Sequence, residues 1–142
     1  MYAGLILLIA FSALAQKFSR LSKTPSSPSK YVTLIKTQFF NVDVQSLLIN
    51  LENIKNISLP NLSGAFDNFE VKSSHTLSPI LQKEFPSILS FSGFSVSDTQ
   101  KKIRLDFNEK GLFAWIKSPT ESYFIHSLED KNQLILFEES DY

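Results

Sequence analysis

The residues able to do chemistry are few: two histidines, His75 in HTLSPILQ and His126 in YFIHSL, scattered serines and carboxylates, and no cysteine. A hydrolytic zinc site needs a helical His-Glu-x-x-His pair or an equivalent set of nitrogen and oxygen ligands. The histidines stand far apart, and neither belongs to a helical pattern that would bring in a second one. His75 reads as a polar residue at a strand-to-helix corner or as a ligand or contact for a partner's active site, and His126 as a solvated or cross-strand residue of an alternating strand. A serine nucleophile elbow requires Gly-x-Ser-x-Gly, and the run SGFSVS around Gly93 lacks the second glycine. Without cysteine there is no thiolate zinc site, no thiol nucleophile and no lipid anchor at Cys. With four glycines in all, phosphate-cradling loops are missing too.

Other charged and aromatic groups carry weaker signals. Glu138, Glu139 and Asp141 form a terminal acidic cluster that reads as a solvated tail, not as an acid and base pair. Lys101, Lys102 and Arg104 could hold an anion or simply solubilise one side of a strand. Trp115 could stack on a sugar or pack in the core. Asn56 and Asn61 each begin an Asn-x-Ser sequon. No catalytic constellation assembles, so the expectation is a protein that is not an enzyme and takes no cofactor.

The elements that must position these groups are legible from periodicity. Val44, Leu47, Leu48, Leu51 and Ile54 recur at helical spacing behind Asp43 as N-cap, predicting one longer helix. Ser78 then Pro79 starts a short second helix, with Leu77, Ile80, Leu81 and Phe85 on one face and Pro86 ending it. Before, between and after these, YVTLIKTQFF, NISLP, FDNFEVKSS and SILSFSGFSV read as strands, and Gly93 marks a bulge or a close backbone approach. In KKIRLDFN, Ile103, Leu105 and Phe107 alternate with polar residues, and LFAWIKS, YFIHSL and NQLILFEES continue as strands joined by turns. The expected architecture is α+β: an antiparallel sheet of about five to seven strands, with one longer and one short helix packed on one face.

At 142 residues the chain is about one domain. Fourteen basic residues balance fourteen acidic ones, so no global field draws in nucleic acid or an anionic membrane. Residues 1–15 carry the apolar run of a secretory signal peptide, with Ala13 and Ala15 at the small positions before a cleavage ahead of Gln16. Residues 16–30, rich in Ser, Pro and Lys, read as a solvated linker, and 31–142 as the domain. The expectation is a secreted or periplasmic monomer without stable membrane association once the signal is removed.

One collinear set of motifs is similar to a known family. Leu59, Pro60, Gly64 and Phe69, then Leu81, Phe85 and Pro86, then Phe91 and Gly93, with Gly111 and Phe113 in the following hairpin, resemble the N-terminal propeptide region of secreted reprolysin-like zinc metallopeptidases of the Bacteroidetes type. The resemblance spans roughly 31–142. It implies a pro-domain whose partner is the zinc metallopeptidase catalytic domain, in cis beyond Tyr142 or as a separate chain, which it helps to fold and keeps inactive. With no cysteine, latency would rest on steric occlusion, not on a thiolate bound to zinc. The alternative is a free-standing secreted binding or adhesion domain that recognises a carbohydrate or a protein surface.

Overall fold

The computed structural model describes residues 19–20, 37–48 and 55–141. They form one antiparallel sheet of nine strands: β1 (Ser19–Arg20), β2 (Gln38–Asn41), β3 (Asn56–Pro60), β4 (Phe66–Ser73), β5 (Leu89–Ser95), β6 (Lys102–Asn108), β7 (Gly111–Lys117), β8 (Ser122–Ser127) and β9 (Gln133–Glu138). The order is β1-β2-β9-β8-β7-β6-β5-β4-β3, so β3 to β9 run as a continuous meander and β2 joins at its far side. Among the described residues α-helix is confined to α1, residues 44–48, and α2 (Pro79–Glu84), and a 3-10 turn, Glu139–Asp141, follows β9.

This corrects the expected fold class. The molecule is mostly sheet, with more strands than the five to seven expected, and it is a curled half-barrel, not a flat sheet under a helical layer. The physical reason lies in the burial pattern. One face of the sheet carries Phe69 and Val71, Phe91, Ile103, Leu105 and Phe107, Ala114 and Ile116, Tyr123 and Ile125, Leu134 and Leu136, all buried. Among the described residues α2 buries none of its side chains against this face, and the sheet closes its apolar face by curling around it. The curl brings the two sides of the sheet together. The Gln38 side-chain amide of β2 donates to the Leu62 carbonyl in the β3–β4 turn at 2.8 Å, and the rings of Phe40 and Phe66 meet edge-on at 6.5 Å.

The helices depart from expectation in different ways. α1 starts as its periodicity predicts, with Asp43 accepting from the backbone N–H of Gln45 and Ser46 and from the Ser46 hydroxyl. Val44 and Leu47 are buried in the cluster that lines the concave face, so this turn fills the hollow of the curl; Leu51 and Ile54 lie outside the described residues. α2 has the predicted cap, Ser78 Oγ accepting from Leu81 N, but buries none of its residues. Ile80 is 73% and Phe85 50% exposed, so the apolar face expected to pack on the sheet faces outward. Its C-terminal end is held by polar links, the Phe85 N–H to the Leu81 carbonyl and the Gln82 side-chain amide to the Ile88 carbonyl.

β3 to β9 appear where alternation places them, because an antiparallel strand with one buried face needs period two, whereas β1 pairs with β2 from inside the segment read as a linker, and of YVTLIKTQFF residues 31–36 lie outside the described residues. β9 is the exception, since Leu134, Ile135, Leu136 and Phe137 are all buried. Leu134 and Leu136 face the hollow, and on the outer face Phe137 packs against the rings of Phe124 and His126.

Candidate binding site at the mouth of the half-barrel

Period two also predicts which polar side chains reach the hollow. Asp67, Lys101 and Glu121 each stand two residues before a buried inward residue, Phe69, Ile103 and Tyr123. They come from the start of β4, the β5–β6 turn and the β7–β8 turn, so they converge at one end of the curl. Lys101 Nζ lies 2.8 Å from Asp67 Oδ2 and also pairs with the Glu121 carboxylate. Burial is the largest single influence on the Lys101 ammonium and pulls its pKa down. The hydrogen bonds and charges of Asp67 and Glu121 together outweigh it, so the net shift is upward. Asn61 steadies the other Asp67 oxygen, its amide donating to Oδ1 at 3.2 Å.

Tyr123 lies beneath this triad. It is fully buried, and its hydroxyl has no hydrogen-bond partner among the described residues. Burial pushes the phenol well above its ordinary range, and the negative charges of Asp67 and Glu121 push it further, which sets the hydroxyl in the field of both carboxylates. Outside the triad opens a groove of about 460 Å³ lined by Leu62, Thr120, Glu121, Ser122, Glu138, Glu139 and Ser140. Glu138 stands opposite Tyr123 in the β8–β9 register. Glu138 and Glu139, which read from the sequence as part of a solvated tail, are thus part of a rim. The groove is acidic, and within it the Ser140 hydroxyl donates to Glu138 Oε2 at 3.3 Å.

The residues singled out by sequence fall mainly at structural corners. Leu59 and Phe69 are core residues, and Pro60 is a buried end of β3 opposite Phe66. Gly64 lies in the β3–β4 turn, its N–H donating to the Asn61 carbonyl at 3.0 Å. Phe85 caps the end of α2 and Pro86 follows it into the turn before β5. Gly93 is a close approach: a Cβ there would sit 2.8 Å from the Glu70 carbonyl carbon and 2.9 Å from Val71 Cα, with the Glu70 oxygen nearer still. Gly111 opens β7 at φ +111°, where a side chain would also run into Ser127, whose hydroxyl is bonded to the Leu112 N–H and the Lys131 carbonyl. Phe113 lies on the outer face against His126, with ring centroids 4.2 Å apart. Ala13, Ala15 and Gln16 lie outside the described residues.

The remaining candidates separate. His75 is exposed on the segment before α2, in a shallow hollow with Thr76, Ser78 and Gln82, while His126 sits among aromatic rings on the outer face of β8. Lys101 points into the mouth whereas Lys102 and Arg104 are exposed, so the three do not form one anion patch. Trp115 is half-buried on the outer face; its ring stacks on Phe124 at 6.3 Å, has the Lys117 ammonium 5.4 Å above it and donates through Nε1 to Ser122. The Asn61 side chain is committed to its turn, accepting from the N–H groups of Ser63 and Ala65. Among the described residues no group of three His, Cys, Asp or Glu side chains could hold a metal ion, and no helix is long and apolar enough to cross a membrane.

No protein-family model, no curated protein and no solved structure matches the chain.

Proposed function

We propose that this chain is a secreted, non-catalytic pro-domain that assists the folding of a reprolysin-like zinc metallopeptidase and holds it inactive. The observation that carries the reading is where the collinear motif set lies. Leu59 and Pro60 end β3, Gly64 turns the chain into β4, Phe85 and Pro86 end α2, Gly93 permits β4 and β5 to approach, and Gly111 starts β7. Pro86, Gly93 and Gly111 stand where the backbone path demands a particular residue type, which supports a resemblance carried in part by determinants of the chain path, while Leu81, Phe85 and Phe113 of the set are exposed. A sheet that buries its own apolar face can fold ahead of a second domain and serve as its template. The exposed apolar side chains of α2, Ile80, Leu81 and Phe85, form a surface of the kind a protein partner covers.

The carbohydrate alternative is the weaker one, because the Trp115 ring that would stack on a sugar is engaged by Phe124, Lys117 and Ser122. The test is to add the purified chain to the cognate catalytic domain, measuring peptide hydrolysis and the yield of active enzyme on refolding. Inhibition and an improved yield are expected, both weakened by Ile80→Ser together with Phe85→Ser. Neither effect at stoichiometric excess overturns the proposal.

A further inference from the structure

We propose that the outer face of β4 to β7 is a docking surface for an acidic polysaccharide, held by Lys72, Lys102, Arg104 and Lys117. The inference goes beyond the pro-domain reading and does not depend on it. Alternation sets the face. Lys72 follows buried Val71, Lys102 and Arg104 flank buried Ile103, and Lys117 follows buried Ile116, so all four side chains leave the sheet on its convex side, where each is exposed. The carboxylates at outward positions of these four strands are Glu70 and Asp106. Asp106 lies 3.7 Å from Arg104 Nε and accepts from the Ser90 hydroxyl, while Phe94 stands between Glu70 and Lys102 in the register. Lys72, Lys102 and Lys117 enter no ion pair among the described residues, so the face carries positive charge that nothing on it neutralises.

A second, independent feature marks the same place. Lys102 and Lys117 stand directly opposite each other in the β6–β7 register, and like charges at facing positions about 5 Å apart destabilise a sheet. An anion lying between them removes that cost. The Lys117 ammonium is also held in place, 5.4 Å over the Trp115 ring, and Trp115 is the register partner of Arg104, so Lys117 leans from the Lys102 row towards the Arg104 row.

The surroundings select the occupant. β4 to β7 are interior strands paired on both sides, so no acidic peptide can add here as a further strand. Bases of a nucleic acid need an open ring to stack on, and Trp115, central to the patch, has Lys117 over its ring and is stacked on Phe124. An acidic polysaccharide needs neither. Its anionic groups pair with the ammonium groups and with the fork of Arg104, and Phe94, 41% exposed beside Lys102, offers an apolar face to a sugar ring.

Calorimetric titration of the full chain at about 0.15 M salt, where weak surface charge effects are screened, tests this. The probes are dextran sulfate and polygalacturonate, with neutral dextran, a single-stranded oligothymidylate and polyglutamate for comparison. Saturable binding of at least one acidic polysaccharide is expected, absent with dextran and tighter than with the oligonucleotide or polyglutamate. Lys102→Gln with Lys117→Gln is expected to weaken it on the order of tenfold, and Lys110→Gln, in the β6–β7 turn outside the patch, to leave it unchanged. Lys102→Glu separates binding from folding: it is expected to lose binding while remaining at least as stable as the parent in urea, because facing repulsion becomes attraction. No saturable binding of either acidic polysaccharide, tighter binding of the oligonucleotide or polyglutamate, an equal loss in Lys110→Gln, undiminished binding in the double variant, or a Lys102→Glu chain less stable than the parent would each overturn the proposal.

Discussion

Replacing Gly93 by alanine adds one methyl group to the middle of β5, where Gly93 pairs with Val71 on one side and Ile103 on the other. That methyl would stand 2.8 Å from the Glu70 carbonyl carbon and 2.9 Å from Val71 Cα, against the 3.5–4.0 Å or so at which carbon atoms rest. The obstacle is backbone, so no side chain can turn aside, and β4 must move away from β5 by about 1 Å. Ladder hydrogen bonds at roughly 2.9 Å would then stretch past the 3.5 Å or so at which they cease to count. Losing two of them costs about 1–3 kcal/mol, and loosening the packing of Val71 and Ile103 adds about 1 kcal/mol. The restriction that alanine imposes on the unfolded chain returns only about 0.4–1 kcal/mol. The net expectation is a loss of about 2–3 kcal/mol, a large share of the stability of a domain this size. Urea unfolding followed by circular dichroism reads it directly, and the thermal midpoint is expected to fall by about 6–12 °C. Ser92→Ala, one position away on the outer face, is the control and is expected to change stability by less than about 0.5 kcal/mol. A Gly93→Ala chain within about 1 kcal/mol of the parent would refute the close-approach argument and weaken the reading of the motif set as a set of path determinants.

Two further outcomes probe the mouth. Lys101→Met leaves Asp67 and Glu121 facing each other without their cation, and is expected to cost about 1–3 kcal/mol in urea unfolding because both carboxylates are only partly exposed; adding Asp67→Asn should recover part of the loss, and no recovery would deny the coupling. At alkaline pH, Lys101 and Tyr123 both hold their protons more tightly in the folded chain than in the unfolded one, so their contribution is complete below about pH 10 and is lost as pH rises through the folded values. Thermal stability is therefore expected to decline above about pH 10, less steeply in Tyr123→Phe, with tyrosinate absorbance from Tyr123 appearing only as the chain unfolds. Ionisation of Tyr123 in the folded protein within the ordinary tyrosine range would contradict the burial argument.

Most strands were legible from one dimension because each is a local fact. Ile103, Leu105 and Phe107 alternate whatever they pack against, and Ser78 followed by Pro79 starts a helix turn wherever that turn lies. Gly93 could be read as a bulge or a close approach, since glycine inside a strand has few other uses. What covered the apolar face was not local. An amphipathic pattern states that Ile80 and Leu81 could be buried, but burial needs an opposing surface, and here the sheet satisfies its own concave face by curling, leaving α2 outside.

The mouth shows the same division. Asp67 and Glu121 are not singled out by the sequence, and Lys101 groups there with Lys102 and Arg104, although Asp67, Lys101 and Glu121 each stand two positions before a buried residue, Phe69, Ile103 and Tyr123. That they meet depends on the curl, because three turns distant in sequence share one end only when the strands between them wrap around a common hollow. By itself the sequence determined the alternation of the strands, the caps, the glycine that permits close approach and the absence of thiol chemistry, all set by neighbours along the chain. Only the tertiary structure decided that the sheet closes on itself, that Glu138 and Glu139 form a rim, and that the Tyr123 hydroxyl lies buried beneath an ion triad, because long-range packing is what brings those groups together.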